Sequence, residues 1–398
     1  MNPTRPAHPH DISPWLTIFL AFACTLITAG SYFAQPLASV IGRDLGMSPS
    51  AAGLVITVGQ LGYCLGLLLI SPLGDVLENR RLLGVTLLLS VAALSLAALA
   101  PGASWFLFAC FAIGVSAIAV QLIVVLAASM SRPHNRGRVV GQVTAGLLFG
   151  VLLAWPVANL VNAQIGWQRL FAADALLIGG LALVLRRVLP TRQPAPGARY
   201  SRLLMSLLPL WRAHPELRRR ALIQALLFGV FSLFWTCLPL ELRTRHLLST
   251  HQLALFGLIG AGGALAAPLA GWAADRGWSS AASLLGCALV ALSCAAFALD
   301  DALWRVALAA FFISAGVQAC HVISQRRVLA LQPDAGNRLN SLYIATFFVG
   351  GALGSALAAP LFLYGWFWPA TLGEVAALVA CCGCLHWAVR DARTVAPS

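Results

Sequence analysis

Four polar side chains stand deep inside apolar runs, and each is of a type that binds a proton or a polar solute. His321 lies in Ala-Phe-Phe-Ile-Ser-Ala-Gly-Val-Gln-Ala-Cys-His, the only histidine so placed. Its charge changes near neutral pH, so it is a candidate for proton coupling or for binding an acidic group, a structural histidine being the equal alternative. Asp174 and Glu374 are embedded carboxylates, costly in lipid unless paired or protonated. For these the expectation is interfacial hydrogen bonding or a partner on an adjacent helix, with a proton relay as the sharper alternative. Gln121 completes the set, exactly as far before His321 as Asp174 is before Glu374: 200 residues.

No catalytic constellation accompanies them. H-E-x-x-H, G-x-x-x-x-G-K-[ST] and a serine elbow are all absent, so hydrolysis and ATP-driven transport lack their usual hardware. Cys24, Cys64, Cys110, Cys237, Cys287, Cys294 and Cys320 each sit in an apolar run without C-x-x-C spacing and read as small core residues. Cys381, Cys382 and Cys384 lie near His386 but again within a hydrophobic stretch, which favours packing over metal binding. No enzyme activity, metal or cofactor is expected.

The elements that must position these groups follow from composition. Of 398 residues, 60% are hydrophobic and 10% charged, a balance that places most side chains against lipid. With roughly 20 residues per crossing, the chain has room for about a dozen membrane helices joined by short loops. Apolar runs near 15–37, 50–73, 82–101, 103–130, 139–162 and 168–188 precede a polar stretch, and runs near 219–241, 252–273, 279–299, 302–324, 341–363 and 367–388 follow it. This divides the chain into an N-terminal six-helix bundle (1–188), a linker (189–218) and a C-terminal six-helix bundle (219–398). Within the linker, Tyr200 to Trp211 mixes apolar residues with Arg202 and Arg212 and predicts an amphipathic interfacial helix.

The net charge of +13 comes from 26 basic residues, all arginine. Such an excess raises nucleic acid as a partner, but topology explains it better. With the N-terminus cytoplasmic, 21 of the 26 fall on cytoplasmic segments and only Arg43, Arg169, Arg243, Arg245 and Arg305 outside. The positive-inside rule then sets both termini in the cytoplasm, and no signal-peptide cleavage pattern precedes the first run. The expected location is a bacterial inner membrane, multi-pass, as a monomer surrounded by membrane lipids, without nucleic acid.

Shifting the sequence by 200 residues aligns Asp75 with Asp275, Pro133 with Pro333, Arg138 with Arg338 and Gly150 with Gly350, and a shift of 199 aligns Gly166-Trp167 with Gly365-Trp366. Two copies of one six-helix unit in the same orientation can rock about a central site and expose it to one side at a time.

The loop after the second run reads Ser71-Pro-Leu-Gly-Asp75-Val-Leu-Glu-Asn-Arg80-Arg81, and the second half repeats it as Gly271-Trp-Ala-Ala-Asp275-Arg276-Gly277. Both resemble the G-x-L-A-D-R-x-G-R-R signature of the major facilitator superfamily, with Ser71, Val76 and Glu78 departing from it in the first copy. Tyr32-Phe-Ala-Gln35-Pro36-Leu37, Gln60-Leu-Gly62-Tyr63 and Asn337-Arg338-Leu-Asn340-Ser-Leu-Tyr343 are similar to a bacterial subgroup related to drug and nucleoside efflux carriers. Gly141, Gly146, Gly150 and Pro156 partly match its antiporter signature on helix 5. The resemblance implies an all-α polytopic fold with twelve membrane helices in two pseudo-symmetric bundles, and proton-coupled export of a small-molecule substrate. The superfamily also contains importers, and a sensor that binds without moving solute is a further alternative.

The resemblance also implies roles. Asp75, Arg80, Arg81, Arg138, Asp275, Arg276 and Arg338 would form a conformational latch on the cytoplasmic side. Helices 1, 4, 7 and 10 would line the cavity, offering Tyr32, Gln35, Gln121, Trp235, Thr236, His321, Ser324 and Gln325 as solute contacts, with His321 and Asp174 as candidates for proton coupling. Small-x-x-x-small pairs Gly62/Gly66, Gly146/Gly150 and Gly350/Gly354 fall on helices 2, 5 and 11, which the resemblance places where the halves meet, so packing and sliding are expected on one surface. The amide and aromatic cavity set, without an embedded acid on those four helices, leans towards neutral, amphipathic or weakly anionic solutes.

Overall fold

A backbone in lipid must satisfy its own hydrogen bonds, and this chain does so with helices throughout its described length. The computed structural model describes residues 12–132, 135–191, 200–299, 302–332, 335–365 and 367–395. Arg5, Arg192, Arg199, Pro133, Pro333 and Trp366 lie outside these residues, as do the side chains of Asp75 and Asp275.

The first crossing is α1 (Pro14–Tyr32) continued by α2 (Ala34–Asp44). Ser13 caps it, its hydroxyl accepting from the Leu16 N–H at 3.2 Å, and Pro14 at the first position gives up only an N–H that has no intrahelical acceptor. The break at Phe33 has a cause three residues on: Pro36 cannot donate to the Tyr32 carbonyl. Next come α3 (Pro49–Leu69) with a 3-10 turn at Ser71–Asp75, α4 (Asn79–Ala98), α5 (Ala103–Ser116) continued by α6 (Ala119–Met130), α7 (Arg136–Ile165) and α8 (Trp167–Val188). The linker helix is α9 (Tyr200–Ala213). Then follow α10 (Pro215–Thr244), α11 (Thr250–Gly262), a 3-10 turn at Gly263–Leu265, α12 (Ala266–Asp275), α13 (Ser279–Leu299), α14 (Leu303–Leu331), α15 (Gly336–Phe362) and α16 (Phe367–Val395).

Among the described residues, eleven segments are long and apolar enough to cross a membrane. The run expected at 252–273 is helical from Thr250 to Asp275, as α11, the 3-10 turn at Gly263–Leu265 and α12. One apolar core draws on residues from Leu20 to Leu189, a second joins Trp155 to residues from Leu227 to Ala380, and a third is mixed, with Cys64, Leu67 and Ile118 beside Leu217, Leu339 and Tyr343. The linker helix has no buried residue; Tyr200 donates to the Leu69 carbonyl at 2.9 Å, and Arg338 donates to Ser206 at 2.7 Å.

The glycine pairs pack inside the halves and not between them. A Cβ on Gly62 or Gly66 would strike the backbone of α5 at Phe111 or Val115, at 2.1 and 2.5 Å. On Gly146 and Gly150 it would meet the α1 carbonyls of Ala21 and Thr25 at 2.0 and 2.6 Å, and on Gly350 and Gly354 the α10 carbonyls of Ala225 and Gly229 at 2.1 and 2.0 Å. The expectation that packing and sliding share one surface is thus corrected. Spacing reveals a face that allows close approach, but each of these helices has another face, and that other face meets the opposite half. Across the halves α3 runs antiparallel to α15, and α7 packs on α11. There the contacts are made by side chains: Gly53 faces Ala359 Cβ, Gly257 faces the Trp155 ring, and Gly351 faces Gln60.

Trp167 anchors the end of the bundle opposite the linker. It is buried against Phe106 and Phe171, and its indole N–H donates to Asp44 at 2.8 Å, tying α8 to the end of α2. Asp44→Ala leaves the Trp167 ring in place and loses the bond, so a drop of about 1 kcal/mol is expected in detergent thermal unfolding. An unchanged midpoint would show that Asp44 contributes nothing there.

Candidate functional site at the seam between the halves

A helix that crosses lipid has few places to put a polar side chain, and here such side chains gather along α3 and α15. The two helices zip together from Gly53 beside Ala359, through Thr57 bonded to Ser355 at 2.8 Å, to Ser341 donating to Ser71 at 2.8 Å. Between these ends Gln60 donates to Ser232 on α10 at 2.9 Å and the Cys64 thiol reaches the Ala345 carbonyl at 3.3 Å.

The repeat-related pair Gln121 and His321 flanks this zipper on either side. Gln121 on α6 donates to the Tyr63 hydroxyl of α3 at 3.3 Å. His321 on α14 places Nδ1 3.1 Å from the Tyr343 hydroxyl of α15, its ring stacked on the tyrosine at a centroid distance of 5.7 Å. Each tyrosine therefore ties one of this pair to a helix of the seam. Further along, Gln325 donates to Asn340 at 3.0 Å. A small cavity of about 60 Å³ joins Gln121, Leu67, Ser71 and Gly74 of the first half to Asn340 and Ser341 of the second.

Aromatic rings fill the rest. Tyr63 meets Phe348 at 4.6 Å, Phe348 meets Phe228 at 4.9 Å, and Phe228 stacks on Phe231 at 5.5 Å. The path continues through Trp235 to Trp155 of the first half, whose rings cross edge to face at 5.2 Å. Edge-to-face and offset pairs of this kind add about 0.5–1.5 kcal/mol beyond burial. Two polar atoms in this wall are buried without a partner, Trp235 Nε1 and Gln60 Oε1. They are a donor and an acceptor that the packing leaves unpaired.

The other expected contacts are placed less centrally. Thr236 is buried and bonds its own helix at the Ser232 carbonyl, Ser324 is buried, and Tyr32 and Gln35 are half-buried on either side of the α1–α2 break. The expected latch residues are spread out. Arg80 is half-buried, Arg81 and Arg138 are exposed, Arg276 lies over the Trp272 ring at 3.8 Å, and Arg338 serves the linker helix. Among the described residues no group of three or more His, Cys, Asp or Glu is arranged to hold a metal. Cys287, Cys320 and Cys384 instead pack thiol to thiol in the second core. Sequence reasoning missed Phe228, Phe231, Phe347 and Phe348. The signal was available: 228, 231 and 235 share a face of α10 at i, i+3 and i+7, and 343 and 347 share a face of α15.

Residues 20–355 match the model of the Major Facilitator Superfamily. The chain is 35% identical to the uncharacterized transporter YgaY of Escherichia coli O157:H7 over 373 residues, covering 93% of this chain and 95% of the relative. It is 34% identical to a probable transporter of Streptomyces coelicolor over 393 residues, covering 97% and 90%. Among solved structures it superposes on the human organic anion transporter TETRAN with a TM-score of 0.69 at 17% identity, covering 93% of this chain and 98% of the other. It also superposes on a bacterial homolog of the human lysosomal transporter Spinster, in an inward-facing and occupied conformation, with a TM-score of 0.70 at 12% identity, covering 93% and 96%.

Proposed function

The chain belongs to the major facilitator superfamily and is a membrane transporter, and from that premise we propose that it exports a small, neutral or weakly anionic amphipathic solute across a bacterial inner membrane by proton-coupled alternating access. The observation that carries this reading is the contrast between two kinds of packing. Within each half, backbones touch through glycine. Between the halves, the seam is made of side-chain hydrogen bonds and rings.

That contrast supports rocking of rigid bodies. A hydrogen bond between two membrane helices contributes about 0.6 kcal/mol on average, so the few that cross the seam separate at small cost. The glycine contacts inside each half leave no room for sliding. Solute class follows from the wall: amides, hydroxyls, one histidine and aromatic rings, while Asp174 lies on α8, Glu374 on α16, and Glu241, buried near the end of α10, is paired with Arg245. In this reading His321, held by Tyr343, takes up and releases the coupling proton, and the arginine-rich ends of α4, α7 and α14 lie in the cytoplasm, as the positive-inside rule favours. The arginines and the two loop acids act there as the latch, and the protein works as a monomer in its lipid.

The test is movement of a panel of neutral and weakly acidic compounds in inverted membrane vesicles under an imposed proton gradient. At least one compound should accumulate with the gradient, and His321→Ala should lower that accumulation about tenfold, because it removes the group that takes up and releases the coupling proton. A panel in which nothing moves with the gradient would contradict proton-coupled export.

A further inference from the structure

Asp174 has neither of the partners that an embedded carboxylate is expected to have. It is 4% exposed on α8, and its Oδ2 is buried with no hydrogen-bond partner. Seven residues separate it from Trp167, which places it about 10 Å inside the end of the helix. Its carboxyl points into a notch on α1: a Cβ on Gly30 would lie 2.0 Å from Asp174 Oδ2 and 3.1 Å from its Cγ. Gly30 stands three residues before the α1–α2 break at Phe33.

The helices packed on α8 are α1, α4 and α7, with α5 touching it through Phe106. Their ionisable groups are Cys24 and Tyr32 on α1, Arg80 and Arg81 at the start of α4, Cys110 on α5, and Arg136 and Arg138 at the start of α7. The start of α4 meets the far end of α8, where Asn79 donates to the Pro190 carbonyl, and α7 leads into α8 at Gly166, so both arginine pairs stand at the other end from Asp174. On α8 itself Arg169 is exposed near the start and Arg186 and Arg187 are exposed at the end; on α2, Arg43 is exposed and Asp44 accepts from Trp167. Among the described residues no ion pair or hydrogen bond joins any of these groups to Asp174. The second half lacks the arrangement: Glu374 is half-buried, and the place of Gly30 is taken by Val230, packed on Gly373.

We propose that Asp174 is a proton-binding site set against the hinge of the first membrane helix. As a neutral acid it fills the Gly30 notch and holds α1 and α2 in the bend seen here. Giving its proton to water leaves a carboxylate that this apolar notch cannot solvate, so the side chain withdraws and the hinge at Phe33 is released. Asp174 acts through α1 and is a positioning residue, not a solute contact. Its part in the transport cycle rests on the proton-coupled reading above; the protonation site and its hinge are tested without any solute, so either can fail alone.

The experiment uses the full chain in lipid nanodiscs, with infrared difference spectra and amide hydrogen exchange followed across pH. The wild type should show a titrating carboxylic-acid C=O band that is lost in Asp174→Asn. Exchange of residues 28–36, corrected for the intrinsic pH dependence, should rise as that band disappears and should become pH-independent in Asp174→Asn, whose neutral amide imitates the protonated acid. Gly30→Ala fills the notch and should shift the band and loosen the segment at every pH. A band unchanged in Asp174→Asn would overturn the protonation site, and a segment whose exchange follows pH equally in wild type and Asp174→Asn would overturn the coupling to the hinge.

Discussion

Gly354→Leu is expected to abolish the folded protein. A Cβ at this position would sit 2.0 Å from the Gly229 carbonyl oxygen and within 3 Å of its C and Cα, where ordinary contact begins at 3.4 Å. Both neighbours are backbone, so no rotamer change relieves the clash, and α10 and α15 must part along their length. Overpacking a well-fitted core costs about 1–3 kcal/mol where side chains can give way, and a helix-to-helix backbone clash exceeds that range. The yield of monodisperse protein in mild detergent should fall to a small fraction of wild type. Gly84→Leu is the control, since a Cβ on Gly84 meets nothing within 4 Å and should leave the yield unchanged. Normal yield for Gly354→Leu would show that the halves are not rigid bodies of the kind described.

The parts legible in the sequence are those set by composition and period. Lipid demands long apolar helices, so the crossings could be placed from hydropathy, and the linker helix from the mixture of leucine and arginine after Tyr200. His321 stood out because a histidine surrounded by Phe, Ile and Val is conspicuous. Its partner did not, because nothing in spacing joins residue 321 to residue 343; that pairing depends on how α14 and α15 rotate against each other. The phenylalanines of the seam were hidden for a related reason. In a soluble protein an apolar face marks the core, whereas in a membrane helix a phenylalanine facing lipid and one facing the cavity read alike. Glycine spacing named faces of close approach without naming the neighbour. Asp174 was expected to find a hydrogen-bonding partner, and the structure gives it a glycine notch instead.

The second large effect follows from the seam. Gly53 at the start of α3 faces Ala359 near the end of α15, and a Cβ on Gly53 would lie 3.3 Å from that of Ala359. Disulfides bridge Cβ atoms about 3.5–4.5 Å apart, so Gly53→Cys with Ala359→Cys should oxidise readily after a shift of a few tenths of an ångström. The bond would fasten the first half to the second at the end opposite the linker. Rigid halves that rock cannot open that end once it is tied, so transport should stop completely even though His321, Gln121 and the aromatic wall are untouched. The decisive measurement is proton-gradient-driven movement of the responsive compound in inverted vesicles carrying the double variant, before oxidation, after it, and after reduction. Movement that is present, lost and restored in that order, with both single variants unaffected by oxidant, is the result expected of alternating access. Movement that continues at the wild-type rate through a fully formed disulfide would contradict it.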